Sequence, residues 1–304
     1  MALAAFRGAF SQSRIALFAA IADVSESSAL AKNYGAFGVA FGLCFVLGPG
    51  VGAVLYTASR RLPFVVSFAL TLAAWALAFA LPETLAGGAK RKAASWNPVA
   101  PVRAVCAAPL VAATLPSFVL VSVATSTYAL SVFLLTKRFG ASTTVVGVFL
   151  SCVGLAICVC QGVVLPLMLK RLDDRRSCLV GFVAAGTYFL AFGLAPTLGF
   201  AFASVALVFF SGLFDPCMRA IMASVLEGDL GALSGALASL SSASHISSFA
   251  FGALFVAAGS GAPFVVASGL CFVAGALAWR AFRRHPAVAA AAVELPRRKE
   301  ANLV

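Results

Sequence analysis

The sequence predicts an all-α polytopic membrane protein, and three observations carry that class. Of its 304 residues, 62% are hydrophobic and only 11% charged, where a soluble domain is about half apolar and a quarter charged. Mean hydropathy is +1.02, more apolar surface than one or two soluble cores could hide. The apolar residues also form runs of bilayer-crossing length, not the alternating segments of about ten residues that build a barrel.

Nine such runs lie at 3–22, 34–56, 63–81, 107–135, 143–169, 177–195, 198–222, 232–258 and 262–281. The first carries Arg7 and Arg14 and lacks a clear cleavage site, so it does not read as a secretory leader. The second holds Gly35, Gly38, Gly42, Gly48, Gly50 and Gly52 together with Pro49. In lipid, a row of missing side chains lets two backbones approach, and neighbouring helices tolerate a proline bend. This helix is expected to be a packing and pivoting surface, where Leu at Gly48 or Gly52 does far more harm than Leu at Gly87. After the third run, Pro82, Pro98 and Pro101 break the chain into its one long connection, which carries Lys90, Arg91, Lys92 and Arg103. The sixth and seventh runs are separated only by Ala195-Pro196-Thr197-Leu198. The expected division is three helices in 1–82, a basic linker 83–106, six helices in 107–284 and a tail 285–304.

The net charge of +12 invites a nucleic-acid partner, but its distribution argues against one. With the linker on the cytoplasmic side, 15 of the 22 Lys and Arg fall inside. Only Arg60, Arg61, Lys137 and Arg138 fall outside, and Arg7, Arg14 and Arg219 lie within runs. That asymmetry is the positive-inside signature. The basic tail either touches anionic lipid or is simply solvated. The eight cysteines show no zinc spacing and read as small buried residues. The two histidines, His245 and His285, come without a nucleotide loop, HExxH or GxSxG. Neither a metal, a cofactor nor an enzyme activity is expected.

A charge near the bilayer centre costs about 2.5–3.5 kcal/mol on insertion scales, so ionisable groups within the runs are the functional candidates. Asp215 and Arg219 are four residues apart and share a helical face. They form either a proton or anionic-substrate site or a structural ion pair near the cytoplasmic end of their helix. Arg14, mid-helix beside Ser11, Gln12 and Ser13, is read as cavity-facing rather than snorkelling. Ser241, Ser244, His245 and Ser248 form an i, i+3, i+4, i+7 stripe. It serves either a proton pathway through His245 or close helix packing. Tyr128 and Gln161 are further cavity candidates.

The stretch Ile21 to Leu55 resembles the fourth-to-fifth helix region of the major facilitator superfamily. In the drug/proton antiporters of that family the fifth helix carries a Gly…GlyPro…Gly motif, matched here by Gly38, Gly42, Gly48, Pro49 and Gly52. Leu81-Pro82-Glu83-Thr84 resembles the end of helix six, and Tyr128 to Ser142 the end of helix seven. Gly231 to Phe255 is similar to helix eleven. The resemblance, strongest to the tetracycline-resistance-like branch, runs from Gly8 to about Arg284 and covers helices four to twelve of an expected twelve. It implies a chain that is part of a longer one. The loop bearing Arg171, Asp173, Asp174, Arg175 and Arg176 echoes the family's gating motif and is expected to act as a latch. The implied function is alternating-access transport of small organic molecules, by proton-coupled antiport of drugs or organic anions. The alternative is a truncated, non-transporting membrane scaffold.

The charge bias places 83–106 and the tail on one side. Ser95→Cys and Ala301→Cys should therefore resist an impermeant thiol reagent added to intact cells and react after permeabilisation. Labelling of either site in intact cells would overturn the orientation.

Overall fold

The computed structural model describes residues 13–26, 29–80, 105–225 and 230–285. Where described, each of the nine runs is helical. They are α1 (Ser13–Val24), α2 (Leu30–Ala58), α3 (Leu62–Ala78), α4 (Pro109–Phe139), α5 (Thr143–Arg171), α6 (Asp174–Gly193), α7 (Leu198–Ala223), α8 (Leu230–Ser244 continued by Ser247–Ala257) and α9 (Ala262–Arg284). Seven of them, α2 and α4 to α9, are long and apolar enough to cross a membrane, whereas α3 is a shorter apolar helix. The expected linker and tail lie almost wholly outside the described residues.

Short polar turns set the boundaries. The Ser142 hydroxyl accepts from Val145 N at 3.4 Å, Asp173 Oδ1 from Arg176 N at 3.3 Å and Thr197 Oγ1 from Phe200 N at 3.2 Å. These bonds satisfy donors that the first turns of α5, α6 and α7 would otherwise leave orphaned. Pro63, Pro109 and Pro263 open α3, α4 and α9, where a missing N–H is harmless. Gly140 ends α4 at φ 62°, a left-handed conformation that favours glycine.

α6 is the best-buried helix. Gly181 lies against the backbone of α7 at Phe214, Gly186 against the Phe272 ring and Gly193 against Phe264 of α9. Around its C-terminal half Phe192 meets Phe149, Tyr188 and Phe264 at ring separations of 5.3, 5.8 and 5.0 Å. Edge and offset contacts at these distances are favourable beyond the area they bury.

α2 runs along α5 and joins the N-terminal helices to the rest. A Cβ on Gly42 would stand 2.7 Å from Cys158 Sγ and 2.9 Å from the Gly154 carbonyl oxygen. One on Gly154 would meet Phe45 Cβ at 2.7 Å, and one on Gly38 the Gln161 side chain at 2.7 Å. Two side-chain bonds cross the seam, the Ser151 hydroxyl donating to Val46 O at 3.2 Å and the Cys158 thiol to Val39 O at 3.4 Å. The glycine row is used unevenly: among the described residues close approach occurs at Gly35, Gly38 and Gly42, while a Cβ at Gly48, Gly50 or Gly52 would meet nothing within 4 Å. The reason is register: Gly154 of α5 lies opposite Phe45 and Val46, and two turns further along the seam Gly147 faces Pro49 at 4.0 Å rather than the glycines on either side of it.

Gly42→Leu should therefore lower the folded yield of the detergent-solubilised protein, since overpacking costs about 1–3 kcal/mol. Gly48→Leu should leave yield near wild type by fluorescence-detected size exclusion. Equal losses at the two positions would contradict this register.

Candidate functional site

α7 supplies the charged pair through a break in its own helix. Its first part ends at Ser211, and the helix restarts at Phe214 after a turn at Gly212 and Leu213. Pro216 thus falls in a first turn, where its missing N–H breaks no bond, and Asp215 lies at the helix end that favours negative charge. One turn on, Arg219 Nε donates to both Asp215 oxygens, at 3.0 and 3.1 Å. The Arg219 side chain is only 14% exposed and that of Asp215 39%.

Aromatic rings from two other helices close over the cation. The guanidinium carbon lies 4.5 Å from the Phe18 ring centroid on α1 and 5.4 Å from that of Phe118 on α4. Phe18 in turn meets Tyr34 at 5.3 Å and Phe37 at 4.8 Å on α2. Four helices converge on one cation, and α1 and α2 meet α4 and α7 there. A cation over an aromatic face gains about 0.5–2 kcal/mol, more when desolvated. Both bonds to Asp215 use Nε, so neither terminal amino group of Arg219 is committed to it.

A second junction forms at Gln161, inside a π-helical turn of α5 (Cys160–Val164). Its Nε2 donates to Gly212 O at 2.8 Å, in the break of α7. Its carbon stem fills the space left by Gly38, and Oε1 is buried with no hydrogen-bond partner among the described residues. Gln161 therefore ties α2, α5 and α7 together rather than lining an open cavity.

The α8 stripe is not a single face, because the helix breaks between Ser244 and Ser247. The Ser244 hydroxyl bonds within its own helix, to Leu240 O at 2.8 Å. Ser247 Oγ lies 2.9 Å from Ser126 Oγ, and Ser248 Oγ donates to Ser126 O at 3.4 Å. Ser241 is half-buried and His245 exposed. α4 itself tightens into a 3-10 turn at Ser126–Leu130, so the two helices loosen side by side and serine hydroxyls bridge them. Tyr128, on that turn, lies 5.2 Å from the Phe189 ring of α6. Arg14 lies on α1, its side chain outside the described residues.

The first turn of α6 engages the end of α9. Arg175 donates through Nη1 to Phe282 O at 2.9 Å and through Nη2 to His285 O at 3.0 Å, satisfying carbonyls a helix C-terminus leaves open. Asp173 caps α6, Asp174 opens it, and Arg171 and Arg176 are exposed. Phe18, Phe118, Gly154 and Gly212 carry no sequence signal of their own. Only the run Gly212-Leu213-Phe214-Asp215-Pro216 hints at an interrupted helix.

Residues 1–209 match the family model of the Major Facilitator Superfamily. The chain is 27% identical over 260 residues to the class C tetracycline resistance protein of Escherichia coli, covering 84% of this chain and 65% of that one. It is 29% identical over 230 residues to the class G tetracycline resistance protein of Vibrio anguillarum, covering 74% and 58%. It thus spans between 58% and 65% of the length of these relatives. The crystal structure of the human organic anion transporter MFSD10 (TETRAN) superposes with a TM-score of 0.71 at 26% identity, covering 86% of this chain and 66% of that one.

Removing one partner of the pair should cost more than removing both, because a lone buried charge is left uncompensated. Arg219→Ala should lower folded yield by the equivalent of about 1–3 kcal/mol, the partial exposure of Asp215 moderating the loss. Adding Asp215→Ala should recover part of it, and strictly additive effects would mean that the two side chains do not interact.

Proposed function

The chain belongs to the Major Facilitator Superfamily and is a multi-pass membrane protein, and from that premise we propose that it carries small amphipathic organic anions by proton-coupled alternating access. The observation that carries this reading is Arg219, a nearly buried cation held, among the described residues, through Nε and flanked by the faces of Phe18 and Phe118. Its terminal amino groups suit the two oxygens of a carboxylate or sulfonate, and the rings suit an apolar or aromatic body.

Asp215 and a substrate anion compete for the same guanidinium. A proton arriving at Asp215 weakens its hold on Arg219 and favours the anion, so proton and anion bind together. That sense of coupling differs from the antiport implied by the family resemblance. Alternating access then requires the two groups of helices to rock about a shared site. The Arg219 junction, made by α1 and α2 with α4 and α7, would re-form with each swing. Supporting the reading further, MFSD10 is an organic anion transporter by name and shares this fold.

The test is uptake of a fluorescent organic anion into proteoliposomes containing the full-length protein. Acid on the substrate side should accelerate uptake. Arg219→Ala and Arg219→Lys should each reduce it about tenfold or more, because loss of a charge-assisted bond costs about 1.5–3 kcal/mol and an ammonium cannot reproduce the fork. Asp215→Asn should retain uptake while flattening its pH dependence. Unchanged uptake in Arg219→Ala, or full pH dependence in Asp215→Asn, would overturn the assignment.

A further inference from the structure

A cavity of about 370 Å³ opens between α6 and α9, lined by Phe182, Val183, Phe272, Gly275, Ala276 and Trp279 among others. Its rim is exposed apolar surface, with Val183 56%, Phe272 42% and Trp279 48% accessible. No polar side chain on this wall would orient a polar solute, so a hydrocarbon chain is the matching occupant. Gly275 and Ala276 keep the α9 wall low, and the aromatic rings form the sides.

One end of the groove is strongly charged. Arg283 lies one turn beyond Trp279, and its guanidinium carbon is 4.9 Å from that indole centroid. Arg280 and Arg284 are exposed beside it. On α6, Arg176 lies one turn before Leu179, another lining residue, with its side chain 75% exposed. Asp173 sits 3.6 Å from Arg176, and Asp174 opens the same helix, so the local charge is offset only in part. Arg175 faces the same region, but its two terminal nitrogens hold the last carbonyls of α9. Among the described residues, no carboxylate pairs with Arg283. A tryptophan stacked against an arginine at one end of an apolar groove matches a lipid with a negative head and a greasy tail.

We propose that the α6–α9 groove is a binding site for one anionic glycerophospholipid, its acyl chain beside Gly275 and Ala276 and its phosphate between Arg283 and Arg176. Zwitterionic lipid fits the groove equally well and carries the same phosphate, but its head-group cation offsets that charge, so it gains less from the arginine excess. The proposal does not depend on what the protein transports.

Trp279 is itself the reporter. The full-length protein with every tryptophan but Trp279 changed to phenylalanine, Trp75 and Trp96 included, is reconstituted in phosphatidylcholine bilayers containing phosphatidylglycerol, with bromine on the acyl chains of one lipid or the other. Brominated phosphatidylglycerol should quench Trp279 as though preferred at least about fivefold, the equivalent of the ~1 kcal/mol contributed by one basic residue near anionic lipid. Arg283→Ala should reduce that preference and Arg283→Lys preserve it. Ala276→Phe, which fills the groove from an exposed position, should reduce quenching by both lipids. Glycerol phosphate, a headgroup without a chain, should not compete. Equal quenching by the two lipids, an unchanged preference in Arg283→Ala, or competition by glycerol phosphate would each overturn the proposal.

Discussion

Helices in a bilayer gain little from hiding apolar surface from one another, because lipid is as apolar as leucine, so contact geometry decides which helices stay together. The close approach of α2 to α5 is that geometry here. Gly35, Gly38 and Gly42 admit the Gln161 stem, Cys158 and the Gly154 backbone, and any added Cβ would collide with them. The seam holds α2 at a fixed depth, and Phe37 and Tyr34 on its first turns then support Phe18 against Arg219. Gln161 extends the same contact to α7 through Gly212, placing the seam and the break that exposes Asp215 in one mechanical unit.

Polar side chains inside the apolar helices are mostly accounted for by backbone geometry. Thr114, Ser126, Thr127, Ser131 and Ser204 each return a proton to a carbonyl three or four residues back. Such back-bonding satisfies a hydroxyl in lipid and loosens the helix, consistent with the 3-10 turn of α4. The α8 serines then find partners on α4 across the two weakened segments. A polar stripe in a membrane helix can therefore be structural, and here Ser244, Ser247 and Ser248 are used that way.

The helical runs were legible because twenty or so apolar residues between polar turns leave a bilayer few alternatives. Asp215 and Arg219 were legible for a comparably local reason, a four-residue spacing that puts both on one face. What covers Arg219 was not, because with 27 phenylalanines in the chain nothing local distinguishes Phe18 or Phe118 from their peers. The extent of the glycine seam was hidden too, since register against α5 is a property of two helices. The α8 stripe left a proton pathway and close packing both open, and the break between Ser244 and Ser247 that divides it was hidden because helical periodicity presumes an unbroken helix. The family resemblance carried by the glycine-proline helix is borne out by the superfamily match, even though only part of that glycine row makes the close contact.

The seam offers its own direct test, because a Cβ at Gly42 stands 2.7 Å from the native Cys158 sulfur. In full-length protein with Cys44→Ser and a protease site within 83–106, Gly42→Cys should form a disulfide to Cys158 under mild oxidant. After cleavage the two fragments should then migrate together on a non-reducing gel and separate on reduction. Fragments that separate without reductant, with both thiols still free to alkylation, would contradict the α2–α5 contact on which the arrangement rests.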